Sequence, residues 1–138
     1  MATYVKFNQF VEDAMHGVHN FNTHQLAVAL TNSAPVATNT VLANITQVSY
    51  TYCSTRNITK SSSAQTSGTY KYVPVDLTLS ASGGSVGPFR YVVIYNDTPT
   101  SPADPLICYY DYGSSITLAA GESLLIDFDG TNGLFQLA

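Results

Sequence analysis

Tryptophan is absent from these 138 residues, cysteine occurs twice, and lysine and arginine together number five. Each shortage removes a class of function. Charged residues make up 10% of the chain, where about 25% is usual. The cations are scattered at Lys6, Arg56, Lys60, Lys71 and Arg90, whereas gripping a phosphate backbone needs them clustered, so no nucleic-acid partner is expected. No basic amphipathic stretch and no run near the ~20 apolar residues of a spanning helix point to a membrane. The opening Met1-Ala-Thr-Tyr-Val-Lys6 lacks the charged head and apolar centre of an export signal, so the chain is expected to stay where it is made. The sequons at Asn44, Asn57 and Asn96 then carry no glycan. A bridge between Cys53 and Cys108 would add ~4 kcal/mol through the unfolded state, but in a chain that is not exported both are expected as thiols.

What remains is 45% hydrophobic, enough for one domain that buries roughly two thirds of its unfolded surface. Thr, Ser, Asn and Tyr replace charge as the source of polarity. Such an exterior has few charges to discourage association, which suits a protein partly covered in an assembly.

Residues 1–23 differ from the rest. Between 5 and 18, Phe7, Phe10, Val11, Ala14, Met15 and Val18 fall at helical spacing, which predicts one amphipathic helix with Thr3 as its N-cap. Gly17 and the 20–23 cluster would end it. A lone helix of this length must dock: on its own domain, or, as an arm, on a neighbour through Phe7, Phe10, Val11 and Met15. From 24 to 138 the pattern is strands. Leu26, Val28 and Leu30 alternate with Gln25, Ala27 and Ala29, and 44–52 alternates likewise. Residues 61–68 read as a polar loop, and 70–79 as a long strand interrupted at Pro74. Strands are further predicted at 90–96, 106–113, 116–118, 124–128 and 134–137, with tight turns at 119–122 and 129–133. Eight or nine short strands without intervening helices predict an all-β fold, an antiparallel two-sheet β-sandwich of jelly-roll or Greek-key type with one N-terminal helix.

Reactive groups do not form a recognisable constellation. His16 and His19 have i, i+3 spacing and His24 follows, but zinc wants three or four ligands, and none is expected. The segment 127–133 has the oxygens and glycines of a calcium loop without the closing bidentate Glu, and reads as a hairpin turn. Asp97, Asp104, Asp111 and Glu122 could pair as acid and base, though loop carboxylates more often form turns. No serine sits in a nucleophile elbow and no glycine loop cradles phosphate. No catalytic residue, cofactor or metal is expected, and the chain is read as a non-enzyme. Alternation puts Tyr110 and Tyr112 on one sheet face and Tyr109 on the other, so a sugar-stacking platform competes with plain cross-strand packing.

Several phrases carry a resemblance: Lys6-Phe-Asn-Gln-Phe-Val-Glu-Asp13, the run from Leu26 to Asn44, Phe89-Arg-Tyr-Val-Val-Ile-Tyr-Asn-Asp-Thr98, Asp111-Tyr-Gly-Ser-Ser-Ile-Thr-Leu118 and Gly121-Glu122. In these the chain resembles small structural proteins of tailed bacteriophages, and among them the head decoration, or cement, proteins. The resemblance implies a homodimer or homotrimer that sits on the outside of the capsid, binds the major capsid protein and is made in the host cytoplasm. A tail-associated or carbohydrate-binding module contacting the host surface is the alternative.

Overall fold

The fold is that of a computed structural model, which describes residues 2–138. It is an antiparallel, mostly β structure. Nine strands are β1 (Thr3–Lys6), β2 (Leu26–Thr31), β3 (Lys60–Thr66), β4 (Thr69–Pro74), β5 (Leu77–Ser80), β6 (Val86–Asn96), β7 (Leu106–Leu118), β8 (Ser123–Ile126) and β9 (Phe135–Leu137), with one helix, α1 (Asn8–Met15). Hydrogen bonding groups them as three sheets, ordered β1-β7-β6-β2, β3-β4-β9 and β5-β8.

The four-stranded sheet is the frame. Its centre is the β6–β7 pair, where Val92, Val93, Ile94 and Tyr95 stand opposite Tyr110, Tyr109, Cys108 and Leu106. β-Branched and aromatic side chains suit both faces of such a pair. One face joins a large core with the two smaller sheets: Leu26, Val28, Leu30, Ile94 and Cys108 meet Tyr72 of β4 and Leu79 of β5, with Leu124 of β8 and Phe135 of β9 packed alongside. The other face has its own cluster of Phe7, Ala27, Ala29, Ile45, Val93, Tyr95 and Leu106. All six residues of β2 are therefore buried, which departs from the expected in–out alternation at 26–30. Alanines at 27 and 29 leave room for Ile45 and Leu42 to lie over them.

The N-terminal segment departs most. Thr3 is no cap: Thr3–Lys6 pairs with β7, and the helix is limited to Asn8–Met15 with Phe7 as N-cap. A β-branched and aromatic run beside an open strand edge pairs rather than coils. Within residues 1–23, β1 belongs to the main sheet and Phe10 to the large core.

Two further segments differ from expectation. Residues 45–52 form no strand. They cross the outer edge of β2, where Val48 N–H donates to Leu30 O and the Tyr50 hydroxyl accepts from Leu30 N–H at 2.9 Å. Residues 61–68 are not a loop, since β3 and β4 form a hairpin turned by Ser67 and Gly68, both at positive φ. β3 is exposed on nearly every side chain, so it lacks the alternation that marks a half-buried strand. Pro74 ends β4, and the chain then enters a different sheet as β5.

Candidate interaction surface

An open cleft of about 840 Å³ lies where β7 faces β8, lined by Ala2, Val92, Tyr110, Tyr112, residues 124–126 of β8, Asp127, Phe128 and Asp129. Strand pleating sends Tyr110 and Tyr112 to this side. Tyr109 turns to the opposite face, against Phe7 at 5.3 Å between ring centroids. Tyr110 meets Phe128 edge-on at 6.4 Å and Tyr4 at 5.4 Å. Burial pushes the Tyr4 and Tyr110 hydroxyls far up from the ordinary tyrosine range, so both stay neutral. Tyr112 and Leu125 are about half exposed at the rim. The two aspartates differ. Asp129 is held below the usual carboxylate range because it accepts from the N–H groups of Asn132 and Thr131 at 2.8 Å each and from the Asn132 amide, so it serves its turn. The Asp127 carboxylate lines the cleft with no side-chain hydrogen bond among the described residues. The 129–133 turn closes with Gly133 N–H donating to Asp129 O, but it is not the expected hairpin, because β8 and β9 belong to different sheets and do not pair.

Beside the cleft lies the outer edge of β1. Phe7 N–H donates to Ile107 O, which continues the register Lys6↔Cys108 and Val5↔Tyr109. Antiparallel pairing alternates bonded and unbonded positions, so Thr3, Val5 and Phe7 point at β7 while Tyr4 and Lys6 turn their backbone groups outward. Asn8, next in that outward series, donates to Ala37 O. The sheet's other edge is closed: Val28 N–H donates to Arg56 O, and Ile58 N–H to Leu26 O.

The four helix-stripe residues divide. Phe7 is fully buried and Phe10 5% exposed, so neither offers surface to a neighbour. Val11 and Met15, at 48% and 63%, do. The split follows from the shortened helix, because Phe7 precedes it and faces the small cluster while Phe10 faces the large one.

The histidines separate as well. The helix ends before His16, which stays exposed near Glu12 at 3.8 Å. His19 and His24 instead converge on Asn96, whose amide nitrogen lies 3.0 and 2.9 Å from their Nδ1 atoms. Asn96 Oδ1 accepts from Thr98 N–H, which fixes the amide as donor. Both Nδ1 atoms therefore accept from Asn96, and the Nε2 of His19 is buried without a partner. Burial lowers the His19 pKa to about 4, opposed by Asp13 and reinforced by His24. Nothing in the sequence spacing signals the role of Asn96.

The carboxylates do not assemble as a pair of acid and base. Arg90 grips Asp111 through two bonds of 2.8 and 3.1 Å and holds its carboxyl below the ordinary range. Glu122 accepts from Ala119 N–H at 2.7 Å and fastens the turn. Asp104 is raised by burial, with Asp97 adding to it. Both cysteines are free, Cys108 buried and Cys53 half-buried, and burial raises both thiols. No group of three metal-ligating side chains exists among the described residues, and no helix is long and apolar enough to cross a membrane. No family model, curated protein or solved structure matches the chain.

Proposed function

We propose that the chain is a structural virion protein of a tailed bacteriophage, a decoration or cement protein that binds the outside of the major capsid shell and stabilises it. In this reading the two smaller sheets act as one layer over the four-stranded sheet, a sandwich of jelly-roll type. The observation that carries it is the side of the molecule where β7 faces β8, where a mainly apolar cleft and the exposed Tyr112 and Leu125 lie on a charge-poor exterior. Apolar and tyrosine-rich surface with little charge is the composition of protein contacts. Many copies, each burying ~800 Å² of the shell, would brace it through avidity. The phage assignment itself rests on the resemblance of the quoted sequence phrases. Mass spectrometry of heads separated from tails tests it. The chain should copurify with heads in fixed ratio to the major capsid protein, and recovery with tails alone would refute it.

The cleft supports a second reading. Tyr110, Tyr112 and the unengaged Asp127 line one opening, and a sugar binds by stacking its apolar face on a ring while carboxylates accept from its hydroxyls. Titrating the protein with host-surface glycans, with Tyr112→Ala as control, decides it. Saturable binding lost in the variant favours the glycan reading, and no binding removes it.

A further inference from the structure

We propose that β1 is a dimerisation strand: the outward edge of Tyr4 and Lys6 pairs antiparallel with the same edge of a second copy, joining two four-stranded sheets into one of eight. The inference rests on reading the chain as a self-associating contact protein, and it names the surface used.

Three observations converge. Tyr4 and Lys6 direct two N–H and two C=O groups away from β7, and among the described residues none has a partner. Alternating donors and acceptors in an extended line are complementary to another extended polypeptide and to little else. An antiparallel edge is also its own complement about a two-fold axis, which closes the assembly at two copies.

The residues permit the pairing and limit its register. Bonded positions match outward groups with outward groups, so even-numbered residues face even-numbered residues. Lys6 opposite Lys6 would set two like charges together and bring Tyr4 against Asn8, whose N–H already serves Ala37. The remaining registers put Tyr4 opposite Lys6 or Tyr4 of the second copy. In the first, four backbone hydrogen bonds form, each ammonium lies beside a tyrosine ring, and Val5 meets Val5 on the other face. β1 carries no carboxylate and no proline; its four residues and the single charge of Lys6 limit the pairing to the short register in which Tyr4 faces Lys6. β3 is also an edge strand, but pairing β1 to β3 would be head-to-tail, which builds rings or filaments rather than a two-fold dimer.

The test uses a property of the register. Lys6 N–H makes no bond to β7, so Lys6→Pro deletes an outward donor and leaves the internal ladder whole. Sedimentation equilibrium at high micromolar concentration should give the wild type twice the 14.8 kDa chain mass, and the Lys6→Pro chain a single mass with an unchanged far-ultraviolet spectrum. Hydrogen exchange of the wild type gives an independent reading should the variant fail to fold: Tyr4 and Lys6 amides should gain protection as concentration rises. A monomeric or trimeric wild type overturns the proposal. So does a dimer that survives Lys6→Pro, or one lost instead on Ser63→Pro in β3. A monomer that still occupies phage heads would overturn the dimer and leave the proposed function standing, while a dimer absent from heads does the reverse.

Discussion

His19 should make this protein acid-sensitive in a window where few other groups contribute. Its ring stacks on Phe21 at 5.1 Å and lies 5.5 Å from Phe10, with Asp13 and His24 the titratable groups facing it. Gln9 ties the Asp13 carboxylate at 3.1 Å. The folded pKa is about 4 against 6.5 for the free side chain. Between those values the unfolded chain binds more protons than the folded one, so stability falls as pH falls. Across the full interval this amounts to about 3 kcal/mol at 1.36 kcal/mol per unit, and residual solvent access lowers it toward ~2 kcal/mol. That is a sizeable part of a domain's ~5–15 kcal/mol. Asp111 and Asp129, both held low, lose their contribution only as pH drops below the usual carboxylate range, and Asp104, raised, works in the opposite direction. Urea unfolding of wild type and His19→Phe at pH 7.0 and 4.5 reads the effect. The wild type should lose most of that 2–3 kcal/mol, and the variant, which keeps the ring packing without a titrating nitrogen, should lose little. Equal losses in both proteins would refute the role given to His19.

Phe10→Ala should cost about 3–5 kcal/mol in denaturant unfolding, because the ring fills the space beside Phe21 and Phe135, while exposed Met15→Ser should stay within about 0.5 kcal/mol. Gly133→Ala should destabilise by about 2–3 kcal/mol, since its φ is +78° and an added Cβ would collide with the Tyr72 carbonyl; a lowered thermal midpoint checks it. Maleimide labelling of the native protein should modify Cys53 and spare the fully buried Cys108, with both reacting after denaturation.

The strongest strands are legible in the sequence for a physical reason. β6 and β7 carry the β-branched and aromatic runs at 91–95 and 106–112, and the prolines between them can only be loop. β3 is illegible because every side chain but the half-buried Ser63 is exposed, which leaves no period to read. At the N-terminus a helical stripe is real over Phe10 and Ala14, yet extending it to Phe7 mistakes a residue packed under the opposite face of the sheet. Tyr110 and Tyr112 could be assigned a common face from alternation alone. Their neighbours in the cleft come from β8 and the 127–129 turn, and only the fold brings segments so distant in sequence together. The convergence of His19 and His24 on Asn96 is likewise tertiary, spanning more than seventy residues.

A cryo-electron microscopy map of a phage particle that contains this chain is the most direct test of the proposed structural role on the capsid. Density for the nine-stranded fold at regular positions on the outer shell, with the cleft between β7 and β8 in contact, is the predicted result. Capsids bare of it, with the fold found at the tail or nowhere in the particle, would contradict that role.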